Sequence, residues 1–297
     1  MRKSSYKTVV NDIYALFDKK GFQFNPENVA EFGQKLAQHI VNRVSEERGP
    51  PKLRFSNIGK KCNRALWYQI NEPEHAEPLT SQTQFKFLYG DIIEELVLFL
   101  AKESGHEVVG QQDELDLEGL KGHRDAILDG LPIDVKSAST RTLEKFKSGL
   151  REDPFGYREQ LSGYEKVAQG DPRVTEKGSA FLVVDKTTGE LFVDYHDDLG
   201  DIDLKGIIRD KKEAVSRKTP PDRYYFPEAD GYKNPKKQFI PNGNLKLGVE
   251  CSYCAFKHRC WPGLRTFYYS GGPKYFTRVV KEPKVQERNN FMENEDA

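Results

Sequence analysis

Residues 122–139 read GHRDAILDGLPIDVKSAS, and the fold can be worked out from this stretch. Asp129 and Gly130 lie between two runs in which apolar and polar residues alternate, which is a strong signal for two antiparallel strands joined by a two-residue turn. A turn of that length fixes the register of the hairpin. The register predicts these pairs across the two strands: Leu128 with Leu131, Asp125 with Asp134, and His123 with Lys136.

The predicted hairpin brings two carboxylates face to face. Because side chains alternate between faces along a strand, one face is expected to carry the candidate catalytic side chains His123, Asp125, Asp134 and Lys136. Directly opposed residues have Cβ atoms about 4.5–5.5 Å apart, and like charges there destabilise a sheet. A cation between them removes the repulsion, and carboxylate oxygens suit Mg²⁺ or Mn²⁺. In the alternative interpretation the face is exposed and its charges are solvated.

An acidic residue before the hairpin belongs to the same hypothesis. Residues 85–104 form a strongly apolar predicted helix, and the neighbours of Glu94 one turn away are mostly apolar. A carboxylate in such surroundings needs a partner or a metal ion. Glu95 is the competing candidate, but its neighbours Asp91 and Lys102 indicate a more hydrated face.

The order of the predicted elements indicates an α/β protein with one mixed central sheet flanked by helices. Apolar periodicity predicts helices at residues 6–17, 26–44, 56–70, 85–104 and 155–169. Strands are predicted at residues 107–116, 122–128, 131–138, 180–185 and 191–195. The expected domains are an N-terminal helical region (1–50), a core (51–218), an irregular C-terminal segment with three cysteines (219–276) and a polar tail (277–297).

A third motif follows the hairpin, where Gln160 and Tyr164 share a helix face at i,i+4 spacing, a pattern that core packing also produces. Together the Gly-x-x-x-Glu helix, the Asp…Asp-x-Lys hairpin and the Gln-x-x-x-Tyr helix resemble the RecB-like branch of the PD-(D/E)XK nucleases over about residues 56–196. The resemblance implies a restriction-endonuclease-like core with two divalent metal ions, held by Asp125, Asp134, Glu94 and the carbonyl of Val135. It also implies that Lys136 handles the attacking water, and that Gln160 and Tyr164 contact the DNA backbone or brace the site.

The four cysteines form a second candidate site. Cys251-x2-Cys254-x5-Cys260 is a compact triplet, and Cys62 lies far upstream on the other side of the core. One early and three late cysteines resemble the iron–sulfur nucleases of the AddB type and the CRISPR-associated RecB-like nucleases, which implies a 4Fe–4S cluster held by four thiolates. A structural zinc site, in which His258 could replace one thiolate, is the alternative. Uncoordinated cysteines also stay open, and disulfides are disfavoured because cytosolic cysteines remain reduced.

Composition limits the possible partners and locations. The 297 residues contain 46 Lys and Arg against 46 Asp and Glu, so bulk charge does not favour a nucleic acid. Two basic stretches, 205–218 and 232–246, are as consistent with a solvated surface as with a binding surface. No apolar run approaches the roughly 18–20 residues that span a bilayer, and the first residues lack the features of a signal peptide. A cytoplasmic protein without a membrane partner is therefore expected.

These observations predict a metal-dependent DNA nuclease. An exonuclease that acts on DNA ends or single strands is expected, in recombination, repair, or phage or CRISPR DNA processing. Because no GxxxxGK[ST] motif occurs, a helicase or recombination partner would be a separate chain. The alternative is a non-catalytic iron–sulfur or zinc module for DNA binding or assembly. An iron–sulfur redox protein is a weaker rival, since nothing indicates a flavin, a nicotinamide or an electron partner.

Overall fold

The computed structural model describes residues 5–45, 49–151, 153 and 155–288. The chain divides into two compact units, Met1–Lys61 with Leu79–Glu213, and Cys62–Pro78 with Ala214–Ala297. The chain therefore leaves the first unit at residue 62 and re-enters it at residue 79. The sequence predicted a single core over residues 51–218, and the structure differs because residues 62–78 belong with the C-terminal part.

Both units contain helices and strands. The helices are α1 (Val9–Asp18), α2 (Pro26–Ser45), α3 (Phe55–Ile58), α4 (Asn63–Asn71), α5 (Ser81–Glu103), α6 (Thr140–Lys147), α7 (Tyr157–Ala168), α8 (Leu204–Ser216), α9 (Val249–Ser252) and α10 (Lys257–Cys260). The strands are β1 (Val108–Val109), β2 (Asp113–Leu117), β3 (Leu120–Arg124), β4 (Ala126–Leu128), β5 (Leu131–Ala138), β6 (Ser179–Asp185), β7 (Leu191–His196), β8 (Glu228–Lys233), β9 (Phe239–Lys246), β10 (Arg265–Tyr269) and β11 (Gly272–Arg278). Among the described residues, no helix is long and apolar enough to cross a membrane.

The first unit is built on a mixed five-stranded sheet with the strand order β1-β4-β5-β6-β7. Strands β5 and β6 are parallel, and the other neighbours are antiparallel. The predicted fold class, a mixed central sheet flanked by helices, is confirmed. Strands β2 and β3 form a separate two-stranded sheet, so the single strand predicted at residues 107–116 is divided between two sheets.

Two apolar cores lie on opposite faces of the central sheet. Because neighbouring side chains of a strand point to opposite faces, Leu182 packs with α1 and α5, whereas Phe181 and Val183 pack with α3, α6, α7 and α8. The core on the α5 face includes Val9, Ile13, Val97, Leu98, Ile133 and Val135. The core on the α7 face includes Phe55, Leu143, Phe146, Leu161 and Ile208. Burial of this apolar surface fixes both helical layers against the sheet.

The predicted hairpin turn is present. Asp129 has φ 49° and Gly130 has φ 85°, which is the pair of left-handed conformations that a type I′ turn requires. The first three cross-strand pairs follow the predicted register: Leu128 with Leu131, Ile127 with Pro132, and Ala126 with Ile133. Strand β4 ends there, and Asp125 lies outside it.

The register beyond Ala126 was predicted wrongly. His123 pairs with Glu114 of β2 and is exposed, so it does not face Lys136. The physical reason is Arg124, which is 1% exposed and donates from Nη2 to Asp113 at 2.9 Å and to Asp171 at 3.2 Å. These buried ion pairs hold residues 120–124 in the smaller sheet, and they remove His123 from the candidate site.

The second unit contains a four-stranded antiparallel sheet with the order β10-β11-β9-β8. Residues 219–276 were predicted to be irregular, and this is corrected by the four strands. The sequence FIPNGNLK of β9 combines Gly, Pro, Asn and Lys, which weaken the alternating pattern on which the prediction relied. Strand β11 runs to Arg278, inside the predicted polar tail, and residues 289–297 of that tail lie outside the described residues.

Candidate active site

Asp134 is the central carboxylate of the first unit and is 1% exposed. Its Oδ1 accepts a hydrogen bond from Nε2 of Gln160 at 3.1 Å. Its Oδ2 lies 2.5 Å from Nζ of Lys136, in an ion-pair contact without hydrogen-bond geometry. Within the described part of the chain, Oδ2 has no hydrogen-bond partner. A buried carboxylate oxygen in this condition is suited to receive a cation.

One face of α7 supports this carboxylate. Gln160 also donates from Nε2 to the hydroxyl of Tyr164 at 2.7 Å, so the two residues share a face as their spacing predicts. Tyr157, one turn earlier, was missed by the sequence analysis, although its i−3 spacing from Gln160 places it on the same face. The ring centroid of Tyr157 lies 5.1 Å from Nζ of Lys136. The aromatic ring therefore covers the lysine that pairs with Asp134.

Asp125 reaches the same place by a route different from the predicted one. It is outside β4, and its Oδ2 accepts a hydrogen bond from the backbone N–H of Val135 at 2.7 Å. Asp125 and Asp134 are thus not a cross-strand pair. The side chain of Asp125 is instead fixed to the backbone beside Asp134, which brings the two carboxylates together.

Glu94 and Glu95 of α5 have different partners. Glu94 accepts a hydrogen bond from Nε2 of Gln112 at 2.7 Å, whereas Glu95 lies 3.2 Å from Nε2 of His39 and 3.8 Å from Nζ of Lys35. Glu95 is 4% exposed, so the prediction of a hydrated face for it is wrong. The partners from α2 could not be read from the spacing within α5. Gln112 was also missed, and its left-handed φ of 57° marks the turn between β1 and β2.

The charges of the three carboxylates are coupled. Burial, together with the charges of Asp134 and Glu95, raises the pKa of Glu94 to about 7. Burial also raises the pKa of Asp125 well above its ordinary value, with Asp134 and Glu94 acting in the same direction. Burial raises the pKa of Asp134, although Lys136 opposes this. Such mutual repulsion in a poorly hydrated site is relieved by added positive charge.

The lysine supplies only part of that charge. Burial by itself lowers the pKa of Lys136, but Asp134 and Asp125 outweigh it and hold the pKa above the ordinary value for a lysine. Lys136 therefore carries a full positive charge next to three acidic groups. The hard oxygen donors and the unpaired Oδ2 of Asp134 fit Mg²⁺ or Mn²⁺. As the side chains stand, no three His, Cys, Asp or Glu residues among those described are placed to hold a metal ion together.

The four cysteines meet in the second unit. Cys62, Cys251, Cys254 and Cys260 line one pocket, together with Tyr68, Tyr225 and Trp261 among others. None of them forms a disulfide. The helix predicted at residues 56–70 is interrupted, and Cys62 precedes α4 in an extended conformation. Burial raises the pKa of the Cys251 thiol to about 12, and Cys254, Cys62 and Cys260 contribute. Four cysteines that line one pocket fit a metal centre, since bound metal ions stabilise thiolates.

Aromatic and arginine side chains frame this pocket. Trp67, Tyr68 and Phe256 form a small buried cluster against Cys254 and Cys260. Arg223 donates from Nη2 to the carbonyl of Cys260 at 2.5 Å, and its guanidinium lies 4.1 Å from the ring centroid of Trp261. His258, the possible alternative zinc ligand, lies with its Nε2 3.5 Å from Glu77.

No protein-family model and no curated protein matches this chain. Among solved structures, SSO0001 is 16% identical over 76% of this chain and 91% of its own, with a TM-score of 0.39. An alkaline exonuclease from Laribacter hongkongensis is 15% identical over 55% of this chain and 84% of its own, with a TM-score of 0.38. The same exonuclease in complex with dAMP is 16% identical over 62% of this chain and 94% of its own, with a TM-score of 0.37.

Proposed function

We propose that this protein is a metal-dependent nuclease that hydrolyses the phosphodiester bonds of DNA. The observation that carries the proposal is the group formed by Glu94, Asp125, Asp134 and Lys136. Three carboxylates that repel one another and one lysine lie at one partly buried site, and an oxygen of the central carboxylate lacks a hydrogen-bond partner among the described residues. This donor set, rather than a comparison with other proteins, supports the assignment.

Each side chain has a role that follows from its contacts. Asp125, Asp134, Glu94 and the carbonyl of Val135 would hold the divalent ions. When bound, such ions supply the positive charge that polarises a phosphodiester and promotes ionisation of the attacking water. Gln160 fixes the orientation of Asp134 through Oδ1, which leaves Oδ2 directed to Lys136.

Lys136 acts on substrate through its charge. Its ammonium group is held by Asp134 and covered by Tyr157, so it presents a fixed positive charge toward the negative phosphate and the water next to it. Gln160 and Tyr164 brace the site from α7 through their mutual hydrogen bond. Preorganised charge of this kind accounts for a large share of catalytic rate enhancement.

The test is cleavage of end-labelled DNA by the full-length protein with Mg²⁺ or Mn²⁺. Asp134→Asn and Lys136→Ala are expected to lose at least about 10²-fold in rate, the usual scale for one catalytic electrostatic group. Both variants should retain the wild-type circular dichroism spectrum. His123→Ala is the matched control on the neighbouring strand, because the structure places His123 away from the site. Full activity of Asp134→Asn, or of wild type in excess chelator, would rule out the proposal.

The finer activity is proposed to be that of an exonuclease on DNA ends or single strands, and it rests on the order and spacing of the sequence motifs. Linear and circular forms of the same single-stranded DNA distinguish an exonuclease, which needs a strand end, from an endonuclease, which does not. Exonuclease action requires degradation of the linear form only. Cleavage of the circle at an equal rate would establish an endonuclease instead.

The second unit is proposed to carry a 4Fe–4S cluster held by Cys62, Cys251, Cys254 and Cys260, with zinc as the alternative. The convergence of four thiols in one pocket supports a four-thiolate centre. Protein purified without oxygen should contain about four iron atoms and absorb broadly at roughly 400 nm. Colourless protein with one zinc ion per chain would replace the cluster by a zinc site.

A further inference from the structure

Strands β8 and β9 form a ribbon whose outer half lacks other neighbours. Strand β11 pairs with β9 only at Leu245 and Lys246. Strand β8 continues to pair with β9 as far as Lys233 and Phe239. In the part of the chain that the structure describes, residues 231–233 and 239–241 therefore pair only with each other. Both edges of this half of the ribbon therefore lack a neighbouring strand among the described residues.

The tip of this ribbon concentrates positive charge. Lys233, Lys236 and Lys237 are exposed, and residues 231–241 contain neither Asp nor Glu. No side-chain partner of these three lysines occurs among residues 5–45, 49–151, 153 and 155–288. Many other surface lysines of the protein are neutralised by carboxylates, for example Lys121 by Glu114, Lys147 by Glu144, and Lys205 by Glu118.

The conformation of the tip is fixed by its own hydrogen bonds. Asn234 and Gln238 exchange backbone and side-chain bonds of 3.0, 3.0 and 3.1 Å. The carbonyl of Asn234 also accepts a bond from the N–H of Lys237 at 2.8 Å. Lys237 is held at φ 59°, a conformation that costs free energy for a lysine and persists only when its surroundings enforce it. The lysines are thus presented by a preorganised turn, which reduces the entropy lost on binding.

Two aromatic rings flank the charged tip. Tyr232 is 59% exposed and Phe239 is 51% exposed. Tyr232 pairs with Ile240, and Phe239 pairs with Lys233, so the two rings lie on opposite faces of the ribbon because successive residues alternate. Exposed rings beside cations are the combination that binds unpaired nucleotides, since bases stack on the rings while the phosphates contact the lysines.

We propose that residues 231–241, the β8–β9 tip, bind single-stranded DNA. Lys233, Lys236 and Lys237 contact its phosphates, and Tyr232 and Phe239 stack on its bases. The choice of DNA rests on the proposed nuclease function. Charge complementarity selects a polyanion, and the two exposed rings select a strand whose bases are not already stacked in a duplex.

The proposal is tested by fluorescence anisotropy with the full-length protein in excess chelator, so that cleavage does not interfere. Labelled single-stranded and duplex oligonucleotides are titrated at several salt concentrations. Each phosphate contact adds about 0.7 to the slope of log affinity against log salt for single strands. Substitution of Lys233, Lys236 and Lys237 by Gln should therefore weaken single-strand binding and reduce the slope by about 2.

Two further variants separate charge from stacking. Lys121, Lys147 and Lys205 changed together to Gln lower the net charge by the same amount, and this control should retain the wild-type slope. Phe239→Ala should weaken single-strand binding by roughly fivefold or more and leave duplex binding unchanged.

The outcomes distinguish this proposal from the proposed function. A wild-type slope and affinity in the lysine variant would overturn the tip as a DNA contact, even if the protein cleaves DNA in a manner that depends on Asp134. Equal losses for duplex and single strand in Phe239→Ala would overturn the stacking role. Tip-dependent single-strand binding by a protein that never cleaves DNA would support this proposal and refute the nuclease.

Discussion

Two adjacent glutamates on α5 show how the direction of a side chain decides its role. Consecutive residues on a helix point about 100° apart, so Glu94 and Glu95 cannot serve the same site. Glu94 is coupled to Asp134 and Asp125. Glu95 is directed to α2, where it contacts His39 and Lys35. Replacing each glutamate in turn by glutamine therefore compares the loss of one carboxyl group at two adjacent positions.

Glu94→Gln is expected to reduce DNA cleavage by roughly 10- to 100-fold, because it removes an acidic group from the metal-binding set. Its free energy of unfolding should stay equal to or above that of wild type, since the change relieves repulsion with Asp134. The measurement is the initial cleavage rate as a function of Mn²⁺ concentration, combined with chemical denaturation.

Glu95→Gln is the matched control and should show the reverse behaviour. Loss of the buried contacts with His39 and Lys35 should lower the free energy of unfolding by about 1–3 kcal/mol, while the cleavage rate per folded molecule stays within about threefold of wild type. If Glu95→Gln lost activity as severely as Glu94→Gln, the assignment of Glu94 to the site would be wrong.

Spacing within α5 favours Glu94 over Glu95 as the site residue for a reason that the structure corrects. Spacing within one helix predicts which residues share a face, and on that basis Gln160 and Tyr164 were grouped correctly. It does not predict which other segment covers that face. The burial of Glu95 comes from α2, and the partner of Glu94 comes from the turn that contains Gln112. Long-range contacts of this kind are not encoded in local periodicity.

At the scale of elements, the hairpin turn between β4 and β5 fixes the register of the three cross-strand pairs that follow it. A Cβ atom on Gly130 would lie 2.1 Å from Oγ1 of Thr175, and the residue has φ 85°. Gly149 also has a positive φ, 73°, but a Cβ there would meet nothing within 4 Å. Alanine at either position would suffer backbone strain, but only alanine at Gly130 would also overlap with Thr175. Comparing the two substitutions therefore distinguishes the two costs.

Gly149→Ala should cost about 1–2 kcal/mol of stability, which is the penalty for an alanine in the left-handed region. Gly130→Ala should cost more, because Thr175 must move as well. The double variant Gly130→Ala/Thr175→Ala should recover part of the difference. Equal losses for Gly130→Ala and Gly149→Ala in urea denaturation would contradict a steric role for Thr175.

A buried histidine ties the same turn to α1. His106 lies with Nδ1 2.6 Å from Asp129 and Nε2 3.2 Å from Asp12. Burial alone lowers the pKa of His106, but the hydrogen bonds and charges of Asp129 and Asp12 outweigh it and raise the pKa above the ordinary value. The imidazolium form is therefore favoured in the folded protein over the unfolded chain.

The raised pKa gives the stability a defined pH dependence. The contribution of His106 is fully present below the unfolded pKa of about 6.5 and is lost as the pH rises through the higher folded pKa. His106→Gln should flatten this decline in melting temperature above pH ~6.5, whereas His123→Gln, which changes an exposed side chain of β3, should keep it. A wild-type slope in His106→Gln would exclude His106 as its source.

The elements also show where sequence patterns stop being sufficient. The Asp129-Gly130 turn and the first three cross-strand pairs follow from turn chemistry and alternation. The pairing predicted for Asp125 and His123 does not follow from them, because Arg124 forms ion pairs with Asp113 and Asp171. Asp171 is 47 residues away along the chain. A local hydrophobic pattern cannot reveal a buried ion pair between residues that far apart in the sequence.

At the scale of the whole molecule, the chain divides into two units, each made of two separate stretches of sequence. The composition gives no sign of this division. The mixed sheet of the first unit was predictable because apolar and polar residues alternate in β5, and because β6 carries a near-continuous apolar run, as buried parallel strands do. The four-stranded sheet of the second unit was not, since sequences such as FIPNGNLK in β9 combine Pro and Gly with few apolar residues. The cysteine spacing nevertheless indicated that residues 62 and 251–260 meet.

The proximity of the four cysteines leads to a prediction about the stability of the second unit. Cys62 lies before α4, and the other three cysteines lie in or next to the short helices α9 and α10. The apolar cluster that joins these segments has only Trp67, Tyr68 and Phe256 as fully buried members among the described residues. So small a core contributes little, and the free energy of metal binding becomes free energy of folding.

Cys62→Ser should therefore lower the melting temperature of the protein and expose the second unit to proteases, with nuclease activity falling as a consequence. Cleavage is expected in residues 217–227, which lie between α8 and β8 and have no helix or strand. Ser252→Ala is the matched control on α9, because its hydroxyl bonds only to backbone carbonyls. A purely redox or regulatory cluster makes the opposite prediction, since its loss would leave the fold unchanged. If cluster-free Cys62→Ser melts within about 2 °C of wild type and resists limited proteolysis, the metal centre does not hold the second unit together.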